Sequence, residues 1–314
     1  MPSVDSIFAS EHSFVATLPA ELITTLLATG DIIPARSVNY QTTRRNNFLW
    51  PFEKTAEFLR NADITFINFE TPLTRQCPIT VDGMIFCGDQ RNVEGLVASG
   101  VDVASLANNH AGNHGEEGVL ETVKLLRSNN IEVTGVSGPA YKTVNGTTFA
   151  FLGFNDITKP QPGVVNAEKE LIKKQIQDAR KKADVVIVTF HWGVEYRALP
   201  DDRQIELGHF TIDNGADLVI GNHPHWIQPI EFYKGKLITY AHGNFVFDQM
   251  WSEETKEGVV GKYTFYKDKL IDVEYFPIKI VDYGQPYFLE GEEKSRVLER
   301  MKSNSVRLHD LKLF

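Results

Sequence analysis

The sequence predicts a single α/β domain with a two-sheet core, and three observations support this prediction. Apolar, β-branched runs recur between Leu22 and Ile220, as is typical of buried parallel strands. Segments with helical patterns alternate with these runs. After Gly221 the chain changes to β-rich segments with hairpin turns, from which we expect a second sheet. The expected boundaries are an N-terminal linker or extension at 1–20, the domain at 21–290, and a C-terminal helix and tail at 291–314.

The elements follow from local patterns. The apolar runs predict strands at 22–27, 64–67, 101–106, 185–190 and 218–220. Helices are predicted at 51–60, 116–128, 167–182 and 201–214; Pro51 suits a first helical turn, and Ile172 and Ile176 recur at helical spacing. Two hairpins are predicted: 230–233 leads into the turn Lys234-Gly235, and 259–266 is joined to 270–278 by residues 267–269.

The composition disfavours one class of partner. With 314 residues and 42% hydrophobic side chains, the chain is long enough to bury a sizeable core. Its net charge of −9, without a long basic run, disfavours nucleic acid as a ligand. No apolar run is long enough to span a bilayer. The first 35 residues contain no Lys or Arg, so we expect no signal peptide there.

Two cysteines leave two interpretations open. Cys77 and Cys87 bracket a short loop that contains Pro78 and Gly83. A disulfide closing this loop would be typical of a protein outside the cytoplasm. Two buried free thiols are the alternative, because sequence does not determine the Cβ geometry that a bridge requires.

Polar clusters stand where the five apolar runs stop, and together they indicate a metal site. They are Gly30-Asp31, Asn68-Phe69-Glu70, Asn108-Asn109-His110, His191-Trp192-Gly193 and His223-Pro224-His225. Because ligands of open α/β sheets lie at strand carboxyl ends, we expect the clusters to meet at one sheet edge. Carboxylates and neutral imidazoles are usual ligands of manganese, iron and zinc. The sequence therefore predicts one or two divalent ions.

Asp31 and Glu70, the two carboxylates of these clusters, differ in how well a role other than metal binding explains them. Asp31 follows Gly30, which would let the backbone approach an ion closely, but a helix or turn cap also explains an Asp here. Glu70 emerges from an apolar strand, where a solvated surface charge is a weaker explanation.

Two overlapping motifs compete after the third strand. Asn109 offers a carbonyl ligand and His110 an imidazole for acid–base chemistry. Directly afterwards, residues 112–116 spell the Gly-Asn-His-Glu signature of binuclear phosphoesterases, but displaced from the strand end and running into a helix. Position therefore favours Asn109 and His110. His114 is then expected to be a supporting or capping residue.

The other histidines of the polar clusters are His191, His223 and His225. His191 follows an unbroken strand, where a buried structural histidine could also lie, and Glu195 could orient an imidazole or bind a cationic substrate group. His223 and His225 flank Pro224 on a rigid turn, so they can address one ion or two neighbouring ions.

A later segment could close the site. His242 precedes Asn244 and Asp248, whose polar side chains could reach the site from the second sheet. Against this, Phe245 and Phe247 alternate as in a half-buried strand, so much of the segment could belong to the core.

The order of these motifs, from about residue 22 to 276, closely resembles that of the poly-γ-glutamate capsule-biosynthesis family, called CapA-like. This family is similar to calcineurin-like metallophosphoesterases, which implies a two-sheet αββα sandwich around a binuclear metal centre. By motif, the metal ligands would be Asp31 and His225 at the first ion, Asn109, His191 and His223 at the second, and Glu70 as the bridge, with His110 as the acid–base residue. Residues for substrate binding or ligand support would be Arg36, Asn68, Asn108, Glu195, Asn244 and Asp248.

The sequence departs from the phosphoesterase pattern at the first strand. Ile33 stands where that pattern has a histidine, so one first-metal ligand is absent. Arg36 matches an arginine of CapA-like sequences and could bind a substrate carboxylate or phosphate, although a surface salt bridge is its ordinary explanation.

Three functions follow from the resemblance. The first is a metal-dependent hydrolase or transferase linked to poly-γ-glutamate or a related cell-surface polymer, with an anionic polymer or a small molecule as substrate. The second is a non-catalytic accessory subunit of an envelope polymer-synthesis complex, and the third is a generic metallophosphodiesterase. The resemblance also implies an extracytoplasmic or cell-surface location.

Overall fold

Two β-sheets organise the computed structural model of the protein, which describes residues 2–9, 12–157 and 160–311. Met1, residues 10–11 and residues 312–314, which belong to the predicted N-terminal extension and C-terminal tail, lie outside the described residues. The strands are β1 (Ile23–Ile32), β2 (Ile64–Phe69), β3 (Leu73–Thr74), β4 (Gly88–Asp89), β5 (Val103–Ser105), β6 (Glu132–Thr134), β7 (Ala140–Val144), β8 (Thr147–Asn155), β9 (Val185–His191), β10 (Leu218–Asn222), β11 (Ile230–Tyr233), β12 (Lys236–Thr239), β13 (Asn244–Val246), β14 (Glu257–Tyr266), β15 (Lys269–Val281) and β16 (Gln285–Phe288). The α-helices are α1 (Val4–Ile7), α2 (Arg36–Arg45), α3 (Ala56–Arg60), α4 (Val93–Ala98), α5 (Gly115–Ser128), α6 (Lys169–Arg180), α7 (Asp202–Asp213), α8 (Glu253–Lys256) and α9 (Gly291–Leu311). Short 3-10 helices span Ser13–Thr17, Ala20–Leu22, Trp50–Phe52 and Gln90–Asn92.

Each large sheet combines parallel and antiparallel strands. The first has the order β16-β15-β14-β1-β2-β5-β6, with β13 also paired to β1, and the second has the order β11-β12-β10-β9-β8-β7. In the first sheet β1 runs parallel to β2 and antiparallel to β14, with Ile23 opposite Tyr266. In the second, β9 runs parallel to β8 and β10. The small strands β3 and β4 pair separately.

The two sheets pack face to face, and helices cover their outer faces. Phe66 of β2 and Phe151 of β8 belong to the core cluster between the sheets, where their rings stack with centroids 5.6 Å apart. The neighbouring residue Ile67 points outward, because side chains alternate along a strand, and it packs in a cluster that includes Leu96 of α4. Val186 joins a third cluster on the outer face of the second sheet, with residues of α6 and α7. The expected αββα sandwich is confirmed.

The composition of the second sheet differs from the prediction. The residues after Gly221 do not form a sheet of their own, because β13 to β16 join the first sheet and only β11 and β12 join the second. The five apolar runs likewise divide between the sheets: β1, β2 and β5 lie in the first, β9 and β10 in the second. The expectation of one common sheet edge was therefore wrong. Strands buried on both faces have the same apolar pattern in either sheet, so the pattern does not assign them.

Most predicted helices and both hairpins are present. The helices α5, α6 and α7 match three predictions, and β11–β12 and β14–β15 form the two hairpins. The predicted helix at 51–60 is instead the 3-10 turn Trp50–Phe52 followed by α3. No helix was predicted at α2, whose sequence is rich in Arg, Asn and Thr, nor at the six-residue α4.

The chain termini pack against the sheets where the structure describes them. Ile7 of α1 is buried in the cluster between the sheets, so this part of the predicted linker or extension contacts the domain. Helix α9 is tied to β14 by Arg296 and Arg300, which both pair with the buried carboxylate of Glu257. Among the described helices, none combines the length and the apolar character that crossing a bilayer requires.

Candidate metal centre

The site lies where the carboxyl ends of strands from both sheets meet. Asp31 ends β1 and Glu70 follows β2, while His191 ends β9 and His225 follows β10. All four side chains are buried, with at most 3% of their surface exposed. The strand-end prediction therefore holds for each residue individually, although the residues come from two sheets.

The Asp31 carboxylate is held by two side chains, Asn68 of β2 and His225, which follows β10. Its Oδ1 accepts a hydrogen bond from Asn68 Nδ2 at 2.8 Å, and its Oδ2 lies 3.0 Å from His225 Nδ1. The same His225 nitrogen lies 2.9 Å from Asn244 Oδ1. Burial alone would raise the pKa of Asp31, but the hydrogen bond and charge of His225 outweigh it and lower the pKa. The capping explanation for Asp31 is thus replaced by a role inside the cluster.

Gly30 has a different role from the one expected. A Cβ at this position would lie 2.2 Å from the backbone oxygen of Gly243, and Asp31 N donates to the same oxygen at 2.9 Å. The glycine therefore permits close approach of the segment that leads into β13, not of an ion.

Glu70 is a buried carboxylate without a hydrogen-bond partner. Both its oxygens are inaccessible and without hydrogen bonds, and Nε2 of His191 lies 3.3 Å from Oε1. Burial, and next the charge of Asp31, raise the pKa of Glu70 well above its ordinary value. A buried carboxylate left unpaired is costly, and a cation placed against it would remove that cost.

Two further ligand candidates, Asn109 and His223, lie close to His191 Nε2. This nitrogen lies 2.8 Å from Asn109 Oδ1 and 3.0 Å from His223 Nδ1. Burial lowers the pKa of His191 to about 3, and burial together with the charges of neighbouring histidines lowers that of His223 well below the ordinary value. Both rings are therefore neutral at pH 7, the form in which imidazole binds metals.

His225 has the opposite electrostatic environment. Burial alone would lower its pKa, but the hydrogen bond and charge of Asp31, with the charges of Glu70 and Glu195, raise the pKa to about 9. Without a cation at the cluster, His225 is thus protonated and compensates the carboxylate of Asp31.

At this site, two groups of three side chains among the described residues are compact enough to bind an ion. One comprises Asp31, Glu70 and His191, and the other Glu70, His223 and His225, with the ligand atoms of each group within 4.8 Å of one another. Glu70 belongs to both, as the bridging position of the resemblance requires. The histidines divide differently from the resemblance, which places His225 with Asp31. The donor set and the unbonded Glu70 carboxylate fit divalent cations.

His110 lies beside the cluster and is held by two residues that the sequence analysis did not assign. Its ring stacks on Phe86 with centroids 3.8 Å apart, and its Nδ1 lies 2.9 Å from Asn113 Oδ1. Burial lowers the pKa of His110 to about 4, so the ring is neutral at pH 7. The signal for Asn113 was present, because it belongs to the competing motif three residues after His110.

The first asparagine of the His110 motif supports the backbone. Asn108 Oδ1 accepts from the backbone N–H of His110 and of Ala111, at 3.2 and 2.8 Å. Its Nδ2 donates to the carbonyl of Phe69 at 2.9 Å. His114 lies at the N-cap position of α5 without a side-chain capping bond and lines a depression beside Thr74, outside both ligand groups.

Arg36 and Asp248 form a buried pair at the edge of the site. The Arg36 guanidinium is paired with Asp248 and lies 4.9 and 4.8 Å from the ring centroids of Phe86 and Phe247. Asp248 also accepts from the backbone N–H of Ser37 at 3.1 Å. The ordinary explanation of Arg36 therefore holds for the salt bridge but not for a surface location, because only 11% of the Arg36 side chain is exposed.

Glu195 lies next to Tyr196, a residue that the sequence analysis did not single out. Burial, and next the charge of Glu195, raise the pKa of Tyr196, whose hydroxyl accepts from Gln249 Nε2 at 3.0 Å. His242, by contrast, belongs to the core between the sheets. Its ring nitrogens lie 3.2 Å from the carbonyl of Thr29 and 2.9 Å from the hydroxyl of Tyr263.

Comparison with known proteins assigns the chain to a family. A family model described as bacterial capsule synthesis protein PGA_cap matches residues 25–249. The chain belongs to this family. The matched range contains every residue of the candidate site, from Asp31 to Asp248.

Relatives and structures agree with this assignment. The PGA biosynthesis protein CapA of Bacillus subtilis (strain 168) is 35% identical over 268 residues, covering 80% of this chain and 70% of the relative. The capsule biosynthesis protein CapA of Bacillus anthracis is 30% identical over 305 residues, covering 90% and 74%. A phosphatase from Mycoplasma pneumoniae has a similar fold, with a TM-score of 0.52 and 14% identity over 82% of this chain and 94% of that chain. The two-sheet fold of this PGA_cap chain is therefore similar to that of the phosphatase.

This PGA_cap chain fills one position of the phosphoesterase pattern with a core residue. Ile33 is fully buried and clusters with Ala35, Phe86 and Phe247. Its backbone N–H donates to the carbonyl of Val246 at 2.7 Å. The missing ligand is thus replaced by apolar packing that supports the rings around Arg36 and His110.

The two cysteines form a disulfide. Cys77 and Cys87 are bonded with their Cα atoms 5.7 Å apart, so the interpretation as free thiols was wrong. The loop that they close ends at Phe86, the ring against which His110 stacks.

Proposed function

We propose that the chain is a metal-dependent hydrolase or transferase that acts in the synthesis of poly-γ-glutamate or a related cell-surface polymer. The observation that carries this proposal is Glu70, a fully buried carboxylate without hydrogen bonds that two groups of ligand candidates share. A structural carboxylate would be paired, whereas a metal bridge requires free oxygens.

The proposed ligands are Asp31, Glu70, Asn109, His191, His223 and His225, which would hold one or two divalent ions, Mn, Fe or Zn. When bound, such ions lower the pKa of a coordinated water and polarise a phosphoryl or carbonyl oxygen. His110, neutral at pH 7, would move a proton between the attacking group and the leaving atom.

The surrounding residues would orient this set. Asn68 and Asn244 fix Asp31 and His225 by hydrogen bonds, and Asn108 fixes the backbone of His110. Such support is common around metal-binding histidines. Arg36, Glu195 and Asp248 would form the substrate side of the site, where the guanidinium would meet a carboxylate or phosphate.

The relatives named for PGA and capsule biosynthesis support a role in polymer synthesis. The proposed substrate is an anionic polymer or a small molecule, and the proposed partner is an envelope synthesis complex. The Cys77–Cys87 disulfide supports a location outside the cytoplasm or at the cell surface, because disulfides persist in oxidising compartments.

A second candidate function is a non-catalytic accessory subunit of the same complex. It is favoured by Ile33, since the position that would supply a further ligand is occupied by a buried apolar side chain. In that case the cluster would bind metal or stabilise the fold without turnover.

Metal content tests the proposal first. Protein purified without chelator should carry about one or two equivalents of Mn, Fe or Zn, as measured by plasma mass spectrometry. The double variant His223→Ala, His225→Ala should lose this metal, while His114→Ala, which lies outside the ligand groups, should retain it. Absence of metal after addition of all three ions would overturn the metal assignment.

Turnover then separates the candidates. An aryl phosphodiester and a γ-glutamyl oligomer are offered to the metal-loaded chain, with Asn109→Ala as the impaired variant. Hydrolysis of the phosphodiester alone would indicate a generic metallophosphodiesterase. Metal binding without any turnover would support the accessory role.

A further inference from the structure

Asn113 Oδ1 takes part in two hydrogen bonds that together indicate which ring nitrogen of His110 carries a proton. The backbone N–H of Phe86 donates to this atom at 2.6 Å, and His110 Nδ1 lies 2.9 Å from it. Which end of an amide side chain is oxygen must be inferred from its partners. Because a backbone N–H can only donate, the atom that faces Phe86 is the oxygen.

The tautomer of His110 follows from this assignment. An amide oxygen can only accept, so the proton of the neutral ring lies on Nδ1. Nε2 is then the unprotonated nitrogen. The ring is also restrained on its face, where Phe86 stacks at an interplanar angle of 16°, and at its backbone, where Asn108 Oδ1 accepts from the N–H of His110.

Phe86 is presented by the loop that the Cys77–Cys87 disulfide closes. Ile79, Met84 and Ile85 of this loop are exposed, at 55%, 66% and 71%, so burial holds only its end, where Phe86 is buried against Ile33 and Phe247. Three side chains of α2 also hold the loop: Ser37 Oγ donates to the carbonyl of Val81 at 3.2 Å, Arg36 Nη1 to that of Gly83 at 3.3 Å, and Asn39 Nδ2 to Cys77 Sγ at 3.7 Å. The covalent bond fixes the loop directly beside Phe86.

We propose that Asn113 and Phe86 are positioning residues for His110, and that the disulfide-closed loop 77–87 thereby fixes the tautomer whose Nε2 is free to accept a proton. Release of the loop removes the Phe86 N–H from Asn113. The amide can then rotate and donate its Nδ2–H to Nδ1, which favours the other tautomer. The catalytic use of Nε2 rests on the proposed function: Nε2 takes one proton from the attacking group and returns it to the leaving atom. The tautomer itself does not depend on that function.

Nitrogen NMR of the histidine rings tests the assignment on the full chain. The protein is exchanged into Zn²⁺, which is diamagnetic, and the His110 signals are identified from their absence in His110→Gln. The expected result is a neutral ring protonated at Nδ1. A ring protonated at Nε2 in the unmodified protein would overturn the proposal without any variant.

Variants then test the two supports. Asn113→Leu removes the acceptor and should give a mixture of tautomers, whereas Asn113→Asp keeps an acceptor and should retain the Nδ1 proton. The pair Cys77→Ser, Cys87→Ser, or reduction of the folded protein by a phosphine, should also give a mixture. An unchanged tautomer in Asn113→Leu would overturn the role of Asn113, and an unchanged tautomer after loop release would overturn the role of the loop.

His114→Ala is the matched control in the same segment, and a change of the His110 tautomer in this variant would show that the effect is unspecific.

Kinetics give an independent readout where the chain turns over the aryl phosphodiester. Asn113→Leu should lower kcat on the order of tenfold, the lower end of what loss of a supporting partner costs at a metal-site histidine, with KM unchanged. Asn113→Asp should restore most of the rate. A change in KM without a change in kcat would contradict a positioning role. Absence of turnover in the unmodified chain would count against the proposed function and leave the NMR result standing.

Discussion

Replacement of Glu70 by Gln should remove a pH-dependent loss of stability from the metal-free protein. Burial and the neighbouring Asp31 raise the pKa of Glu70 well above 4.5, its ordinary value. The folded protein therefore keeps a proton on Glu70 at pH values where the unfolded chain has released it. Where the folded state binds more protons, the free energy of unfolding falls as the pH rises, by about 1.4 kcal/mol per pH unit for one proton.

Other groups of the site set the pH window for this measurement. The pKa values of His110 and His191 are lowered to about 4 and about 3. Their contributions to the free energy of unfolding therefore increase with pH until the pH reaches 6.5, the ordinary pKa of histidine. The pKa of His225 is raised to about 9, so its stabilisation is complete below 6.5 and is lost as the pH rises through 9. Between pH 5 and 6.5, the difference between wild type and Glu70→Gln therefore isolates Glu70.

Urea unfolding in chelator at several pH values provides the assay. Between pH 5 and 6.5, the stability of Glu70→Gln relative to wild type should increase with pH, at up to about 1.4 kcal/mol per pH unit while the folded protein keeps the proton on Glu70. The exposed Glu57→Gln serves as the control for exchange of Glu to Gln. Parallel curves for wild type and Glu70→Gln would refute the reasoning, because they would mean that Glu70 has an ordinary pKa.

Added Mn²⁺ or Zn²⁺ should make wild type more stable than Glu70→Gln, with wild type gaining about 2.7 kcal/mol at a free ion concentration of a hundred times Kd.

Three further variants test what stabilises the fold. Phe151→Ala removes a ring stacked between the sheets and should cost about 3–5 kcal/mol in urea unfolding, whereas a cost below 1 kcal/mol would mean that the sheets are not closely packed there. Cys77→Ser with Cys87→Ser opens a short loop and should cost about 2–3 kcal/mol by the loop-entropy relation, which calorimetry against the oxidised protein can check. Arg300→Ala removes one of two partners of the buried Glu257 carboxylate and should lower the free energy of unfolding by about 1–3 kcal/mol, and an unchanged midpoint would show that Arg296 alone suffices.

The sequence predicted the positions of the site better than the arrangement of its strands. Residues such as Asp31, Glu70 and His191 could be found because each directly follows an apolar run, which is a local signal. Their metal-binding roles stay predictions. The division of the strands between two sheets could not be found, because it depends on the pairing of β1 with β14 across most of the chain.

The contacts of His110 likewise could not be predicted from local sequence patterns. Asn113 lies three residues away and belonged to a recognised motif, but its hydrogen bond to the ring depends on how the turn before α5 folds. Phe86 reaches His110 from a distant loop, so no local pattern relates the two. The replacement of a histidine by Ile33 was visible in the sequence, whereas its packing with Phe86 and Phe247 required the fold.

The pairing of β1 has a consequence for synthesis of the chain. β1 lies in the interior of the first sheet, yet its antiparallel neighbour β14 is among the last strands to leave the ribosome, since Ile23 pairs with Tyr266. Until then one side of β1 presents unpaired backbone N–H and C=O groups, which are a template for pairing with another chain. A truncation before β14 would keep Asp31 and both histidines of the 223–225 turn but leave this edge open permanently. Such fragments should therefore aggregate during expression rather than persist as soluble domains with a partial site.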